Sequence, residues 1–334
     1  MKLLRILLFP IVPIYFLVTW LRNRLYDSGI KSSKSYGFPV ICVGNLSTGG
    51  TGKTPMIEYL VRLLAQQKKV ATLSRGYKRL TKGFLLADDS ANVDTIGDEP
   101  FQFYKKFSTI YVAVDENRQH GIEALRELKP KTDVVLLDDA FQHRKVEAGF
   151  NILLSSFHHL YTKDIVLPTG NLREPKSGAK RADIIVVTKC PINVSEKKKV
   201  SIVNKIAPNK NQSVFFASIK YSATVVSESD EKPLEDLSDF TLVTGIANAA
   251  PMVSYLKSKD LDFEHLEYGD HYNFTLKDVE LLEKKKVILT TEKDYMRLLA
   301  IENLREKLFY LSIETVLDRP EDFKRLVLDF VAKY

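Results

Sequence analysis

The stretch of sequence that decides the fold is GNLSTGGTGKTP, residues 44–55. It follows an apolar, β-branched run at residues 38–43 and opens a segment, residues 56–66, whose apolar residues recur at helical spacing. A glycine-rich loop between a strand and a helix is the setting of a P-loop, where backbone N–H groups and the helix N-terminus bind phosphate oxygens. The stretch therefore predicts a phosphate-binding site on an α/β fold.

Within this loop, each residue type suits phosphate or magnesium binding. The glycines allow backbone amides to turn toward phosphate oxygens, Lys53 is expected to contact the β- and γ-phosphates, and Thr54 is expected to ligate Mg²⁺. The usual pattern begins with glycine where this chain has Ser47, but GGTGKT is intact. The predicted nucleotide-contacting residues here are Ser47, Thr48, Gly49, Gly50, Thr51, Gly52, Lys53 and Thr54.

Around the loop, short apolar runs alternate with helical segments such as residues 117–128. The predicted strands lie at residues 38–43, 70–73, 109–114, 133–137, 150–154 and 183–187. Such alternation predicts a doubly wound, mostly parallel α/β sheet of the P-loop NTPase type.

The composition changes at residues 225–239, which are acidic and contain Pro233, and this segment is predicted to be a linker or exposed turn. Further strands and helices are expected after it, at residues 241–245, 250–258, 276–284, 287–291, 308–311 and 321–334. They predict a smaller C-terminal α/β lobe. The predicted division is 1–26 as an apolar membrane anchor, 27–224 as the P-loop domain, 225–240 as the linker and 241–334 as the lobe.

The chain has 334 residues, of which 45% are hydrophobic and 27% charged, so it is not of the disordered class. Its net charge of +7 suits anionic partners such as phosphates, acidic lipid headgroups or nucleic acid. Cys42 and Cys190 lie in strand-like contexts and are predicted to be buried thiols, which fits a reducing compartment.

An uncharged apolar run, ILLFPIVPIYFLVTWL, covers residues 6–21. It is shorter than the roughly 20 apolar residues of a membrane-spanning helix and contains Pro10 and Pro13. Basic flanks, Tyr15 and Trp20 favour an interfacial membrane anchor. A true span and a buried core helix remain open alternatives.

Paired acidic residues lie at the end of one predicted strand and in a loop before one predicted helix. Asp138 and Asp139 end an apolar strand, the arrangement of a Walker B motif in which a carboxylate supports Mg²⁺. A helix cap or turn is the alternative, and the P-loop upstream favours metal. Asp98 and Glu99, in GDEP, suit either a helix N-terminus or a base and magnesium ligand for phosphoryl transfer.

Each of the other polar segments suits either a functional role or an ordinary structural or surface role. Residues 74–79 (SRGYKR) follow a strand and suit an anionic substrate or a solvated turn. Gln142 follows the acid pair closely, and Arg173-Glu174 is a charged pair that suits the cleft or a surface salt bridge. His271 lies in the predicted lobe, and a lone histidine is usually structural.

Taken together, the motifs resemble those of the tetraacyldisaccharide 4′-kinase family, the lipid A 4′-kinases, from the N-terminus to about residue 298. The matching segments occur in the family's order and read GNLSTGGTGKTP, LSRGYKR, GDEP, VAVDENR, DDAFQHRK, LPTGNLREP, VVTK, GDHYNF and TTEKD. Two departures stand out: the family usually reads DDG where this chain has Ala140, and a second histidine is replaced by Tyr272.

The resemblance implies transfer of the γ-phosphate of ATP to the 4′-hydroxyl of a lipid-linked disaccharide 1-phosphate, forming lipid IVA. It implies Asp98 as the catalytic base, with His271 as its partner from the second lobe. The implied magnesium shell is Thr54, Glu99 and Asp138, with Asp139 and Gln142 nearby. Arg173 and Glu174 resemble nucleotide-contacting positions. The cofactors implied are ATP and Mg²⁺.

The implied acceptor stays in a bilayer, so the membrane surface is an expected partner; no nucleic acid and no obligate protein partner are expected. The expected location is the cytoplasmic face of the inner membrane of a Gram-negative bacterium. Three rivals remain: a P-loop GTPase, a membrane-bound partitioning ATPase and a soluble small-molecule kinase. The GTPase lacks its guanine-reading motif, since residues 188–191 read TKCP. The partitioning ATPase predicts ATP-dependent dimers, and the soluble kinase leaves the apolar N-terminus unexplained.

Overall fold

A computed structural model describes residues 5–270 and 272–334 of the chain. The helices are α1 (Val12–Asp27), α2 (Lys53–Leu64), α3 (Val93–Ile96), α4 (Asp98–Lys106), α5 (Arg118–Glu127), α6 (Glu196–Ile206), α7 (Ala250–Lys257), α8 (Leu276–Glu283), α9 (Glu292–Leu298) and α10 (Pro320–Val331). The strands are β1 (Val40–Asn45), β2 (Val70–Ser74), β3 (Leu85–Leu86), β4 (Tyr111–Val114), β5 (Val134–Asp138), β6 (Phe150–Ser156), β7 (Ile184–Cys190), β8 (Ser213–Val226), β9 (Glu231–Pro233), β10 (Phe240–Thr244), β11 (Phe263–Glu267), β12 (Val287–Thr291) and β13 (Leu308–Leu317).

The strands of the described residues form one mostly parallel sheet in the order β11-β10-β12-β13-β8-β7-β6-β1-β5-β2-β4-β3, with β9 on β8. Antiparallel pairing occurs at β13–β8, β3–β4 and β8–β9. β1 lies between β5 and β6, and its Val43 is level with Asp138 of β5. The carboxyl ends of parallel strands share one edge, so the loop after β1 and the acid pair after β5 meet there. The predicted parallel α/β sheet is confirmed.

Helices pack on both faces of this sheet, as its apolar strands require. On one face, α2 buries Met56, Ile57, Leu60, Val61 and Leu64, all at most 1% exposed. Each such side chain contributes about 1.5–3 kcal/mol of transfer free energy. The burial anchors the helix that begins at the glycine-rich loop, and so holds the loop rigidly over the edge of the sheet.

The long strand β8, which the sequence patterns do not predict, joins the two parts of the sheet. Its first residues pair with β7 in parallel, and the remainder pairs with β13 in antiparallel. Residues 225–240, predicted as a linker, include the end of β8, β9 and a short 3₁₀ helix at Leu234–Asp236. Leu234 and Leu237 of this segment are buried. The proposed domain division stays a prediction.

The N-terminal helix α1 lies against the main body through one polar edge. Tyr15 donates a hydrogen bond to the carbonyl of Arg173, and Arg22 donates to the carbonyl of Gln142. Its other side leaves apolar side chains in solvent: Ile14, Phe16, Leu17, Val18, Trp20 and Leu21. In residues 5–270 and 272–334, no helix combines the length and apolar character that a membrane crossing needs.

Candidate functional site

The glycine-rich loop connects β1 to α2 and is held in place by a neighbouring loop. Its Thr48 N–H donates to the carbonyl of Asn171 at 2.8 Å, and Arg173 N–H donates to the carbonyl of Leu46 at 2.7 Å. Gly49, at φ 100°, and Gly52, at φ 82°, adopt backbone angles that favour glycine. The two glycines set the bend of the loop, while the bonds to residues 171–173 fix its position.

Inside the loop, Thr51 is held from two sides. Asn45, at the end of β1, donates its side-chain amide to Thr51 Oγ1 at 2.8 Å. Thr188, on β7, donates its hydroxyl to the Thr51 carbonyl at 2.7 Å. Both side chains are buried, so these bonds are shielded from water and keep the loop preorganised.

Lys53 opens α2 and lies beside the acid turn after β5. Its Nζ is 3.7 Å from Asp139 Oδ1, and Arg173 donates to both Asp139 oxygens at 3.0 Å. Asp139 has φ 49°, a conformation that Asp tolerates better than most residues. Ala140 has no positive φ, so the glycine expected at that position is not needed for this turn.

Asp138 points into the same cleft from the end of β5. It is 3% exposed and accepts a hydrogen bond from Ser74 on Oδ2 at 3.2 Å, whereas its Oδ1 is buried without a partner among the described residues. Burial and then the negative charge of Glu99 raise the pKa of Asp138 to about 7. An unpaired buried carboxylate oxygen facing another carboxylate is an environment that a cation would relieve.

Glu99, at the start of α4, contacts Thr54 at the start of α2. Thr54 Oγ1 donates to Glu99 Oε1 at 3.3 Å, so hydroxyl and carboxylate oxygens converge beside Asp138. Oxygen ligands of this kind suit Mg²⁺, which usually takes only one or two carboxylates and completes its shell with water and phosphate. The described residues contain no group of three His, Cys, Asp or Glu that could hold a metal ion. Thr54, Glu99 and Asp138 therefore fit Mg²⁺.

Helix α9, from the C-terminal part of the chain, reaches both acids of GDEP. Lys293 Nζ lies 2.5 Å from Glu99 Oε1, and Arg297 Nε donates to Asp98 Oδ2 at 2.9 Å. Burial alone lowers the pKa of Lys293, but the charge and hydrogen bond of Glu99 outweigh it and raise that pKa. The sequence patterns do not single out Lys293 or Arg297. Their spacing of four residues places both on one face of α9 but does not indicate which residues they contact.

His271, the predicted partner of Asp98, lies outside the described residues. Its neighbour Tyr272, which replaces the second histidine of the resembling family, donates its hydroxyl to Asp278 at 3.1 Å. The Tyr272 ring also packs against Tyr268 and Phe274.

Gln142 and Glu174, predicted near the nucleotide, lie together behind the loop. Gln142 donates its amide to the Asn45 carbonyl at 2.8 Å and to Glu174 Oε1 at 3.0 Å. Glu174 is 2% exposed and also accepts bonds from Asn23 of α1 and from Arg181. Glu174 thus links α1 to Gln142, which is bonded to the end of β1 just before the glycine-rich loop.

The chain is similar to known proteins over nearly its whole length. Residues 4–332 match the family model LpxK, described as tetraacyldisaccharide-1-P 4′-kinase. The chain is 48% identical to the tetraacyldisaccharide 4′-kinase of Flavobacterium johnsoniae, with 99% of this chain and 98% of the relative covered. It is 42% identical to the enzyme of the same name from Phocaeicola vulgatus, over 98% and 95% of the two chains.

The fold comparison points the same way. A crystal structure of LpxK from Aquifex aeolicus in complex with ATP superposes with a TM-score of 0.79 at 32% identity. The match covers 98% of this chain and 99% of that one. Since the family model and the relatives span nearly the whole length, the chain belongs to the tetraacyldisaccharide-1-P 4′-kinase family.

Proposed function

We propose that this protein transfers the γ-phosphate of ATP to the 4′-hydroxyl of a tetraacyldisaccharide 1-phosphate, forming lipid IVA in lipid A biosynthesis. The observation that carries the proposal is that Lys53 and Thr54, at the start of α2, lie close to Glu99 and Asp138, with Asp98 near the same two acids around Lys293. Phosphoryl transfer requires this combination of a phosphate cradle, metal-binding oxygens and a carboxylate near the acceptor.

The glycine-rich loop is proposed to bind the triphosphate. Backbone N–H groups of residues 49–52 and the N-terminus of α2 would face the phosphates, and the Lys53 ammonium would leave Asp139 to contact the β- and γ-phosphates. Thr54, Glu99 and Asp138 would hold Mg²⁺, which when bound neutralises charge between these phosphates. Arg173 donates to Asp139 and so fixes that side chain beside the proposed phosphate site.

Asp98 is proposed as the base and His271 as its partner. A sugar hydroxyl is a poor nucleophile, so a carboxylate beside it accepts its proton as the new O–P bond forms and the bond to ADP breaks. A histidine hydrogen-bonded to that carboxylate orients it and stabilises charge. Because Asp98 and His271 come from the P-loop domain and the C-terminal lobe, closure of the cleft completes the pair and limits wasteful hydrolysis.

The proposed division into a P-loop domain, residues 27–224, and a lobe, residues 241–334, fits this closure. Helix α9 spans the cleft through Lys293 and Arg297. Movement of the lobe would carry both cations with it, and their positions relative to Asp98 and Glu99 would report whether the cleft is open.

Helix α1 is proposed to lie in the membrane interface at the cytoplasmic face of the inner membrane, where ATP and the acylated acceptor meet. Its exposed apolar side includes Leu17 and Val18, which are 59% and 60% exposed, and apolar side chains bind the headgroup boundary. On its opposite edge, Arg22 and Asn23 donate hydrogen bonds to Gln142 and Glu174, next to the glycine-rich loop.

The deciding experiment incubates purified protein with ATP, Mg²⁺ and the disaccharide lipid, and follows the lipid by mass spectrometry. We expect the lipid to gain the mass of one phosphoryl group, and Lys53→Ala to abolish the gain. A lipid of unchanged mass with the wild-type protein, or an undiminished gain with Lys53→Ala, contradicts the proposal. Omitting the lipid measures ADP release by hydrolysis alone.

A further inference from the structure

The end of β7 bends toward the glycine-rich loop. Lys189, its penultimate residue, has φ 56°, and the pairing of β7 with β8 shifts register between Val187 and Cys190. A left-handed conformation is costly for a lysine and persists where the surroundings enforce it, often beside a functional site. Here the preceding residue, Thr188, is fastened to the Thr51 carbonyl at 2.7 Å, so the bend directs Lys189 over the loop.

The Lys189 ammonium lies over the glycine-rich loop at Gly50. Its Nζ is 3.7 Å from the point where a Cβ on Gly50 would stand, and Thr188 occupies the matching place over Gly52. Strand β7 thus covers two of the three glycines whose amides are expected to face phosphate. A side chain at Gly50 would contact the ammonium, whereas glycine leaves the loop backbone bare beside it.

Three lysines from three elements converge at this point: Lys53 from α2, Lys189 from β7 and Lys293 from α9. Partial burial of the ammonium lowers the pKa of Lys189 although the residue as a whole stays exposed, and the positive charges of Lys293 and Lys53 lower that pKa further, against the opposing charge of Asp270. Lys53 lies beside Asp139 and Lys293 beside Glu99, whereas Lys189 forms no ion pair among the described residues, so an anion of high charge would be stabilised by entering beside it. A nucleoside triphosphate is such an anion.

We propose that Lys189 is a second phosphate-binding lysine, whose ammonium contacts the terminal phosphates of the nucleotide across the loop from Lys53. The inference rests on the proposed function, because it assumes that the loop binds ATP. It assigns a role to the VVTK segment beyond the structural support of β7, and it adds a contact that AMP, with its single phosphate, would lack.

Lys189→Gln removes the charge and keeps a side chain of similar shape at the strained position, so the backbone conformation is expected to persist. Calorimetric titration with ATP, ADP and AMP should show ATP binding weakened by about tenfold, the magnitude of one charge-assisted contact, and AMP binding unchanged. Lys189→Arg should recover most of the loss. Lys210→Gln, at an exposed lysine between α6 and β8, is the matched control.

Undiminished ATP affinity in Lys189→Gln overturns the inference, and so does an equal loss for AMP and ATP, which would indicate a disturbed fold. Titration of Lys53→Ala in parallel distinguishes a failure of the proposed function from a failure of the role of Lys189. If Lys53→Ala binds ATP normally, the proposed function itself fails. If Lys53→Ala loses ATP and Lys189→Gln does not, only the role of Lys189 is wrong.

Discussion

Arg297 and Asp98, 199 residues apart in sequence, form an ion pair across the cleft, with Arg297 Nε 2.9 Å from Asp98 Oδ2. The same guanidinium donates to Asp294 at 2.9 Å, so its position is fixed from its own helix. Both carboxylates are largely buried. The pair therefore holds the proposed base in one orientation and couples α4 to α9.

Loss of the Arg297 guanidinium should lower turnover more than it weakens nucleotide binding. We expect Arg297→Gln to lower kcat by about tenfold, because Asp98 loses a charge-assisted hydrogen bond, while the KM for ATP changes little. Arg297→Lys should retain only part of the wild-type kcat, since lysine cannot donate to both carboxylates with the same planar geometry. Arg325→Gln, at an exposed arginine of α10, should leave both constants unchanged. A raised KM for ATP with normal kcat would contradict this role.

Asp98→Asn and His271→Ala should each lower turnover by at least about a hundredfold, because each removes a member of the proposed base pair. ATP binding should persist, since neither side chain is proposed to contact the nucleotide. Steady-state kinetics and ATP titration on the same preparations measure both effects. Asp94→Asn, at an exposed acid of the preceding helix, serves as control. Near-normal turnover in either variant would remove that residue from the mechanism.

The adjacent acids Asp138 and Asp139 should differ in their effect on magnesium. Asp138 has an unpaired buried oxygen, whereas both oxygens of Asp139 accept hydrogen bonds from Arg173. Asp138→Asn should therefore raise the Mg²⁺ concentration for half-maximal rate more than Asp139→Asn does, in titrations at saturating ATP. The reverse order would show that Asp139 is the closer metal ligand.

Glu292 should make stability depend on pH. Burial and then the charge of Glu58 raise the pKa of Glu292 to about 7, above its unfolded value, although Lys106 contacts both acids. The native state therefore holds a proton that the unfolded state has released, and stability falls as pH rises from about 4.5 to 7. Glu292→Gln should lessen this fall in thermal unfolding between pH 5 and pH 8. Glu302→Gln, on the surface, should retain it.

The exposed side of α1 should control membrane binding without affecting ATP. Deleting residues 1–24 would also remove the contacts of Arg22 and Asn23, so the sharper variant is Leu17→Gln with Leu21→Gln. We expect this double variant to bind anionic vesicles several-fold more weakly and to phosphorylate lipid more slowly, with unchanged ATP affinity. Val200→Gln with Leu276→Gln, at exposed apolar positions elsewhere, is the control. Equal vesicle binding by both variants would contradict the proposed role of α1 as a membrane anchor.

The sequence alone was sufficient to locate the glycine-rich loop, most of the longer strands and the acid pairs along the chain, because each has a local signature. Glycines beside Lys53, an apolar run ending at Asp138, and acids opening a helix at Asp98 can all be recognised within about ten residues. The long strand β8 was not predicted, since it mixes apolar and polar residues and changes partner along its length.

The tertiary structure alone decided which distant charges reach the cleft. Lys293 and Arg297 meet Glu99 and Asp98 over separations of 194 and 199 residues, and no local pattern encodes such a contact. The same holds for Lys189, whose direction follows from a bend at the end of β7. Local propensity sets where a strand or helix begins, but packing across the whole sheet sets which side chains share a site, because it depends on every element between them.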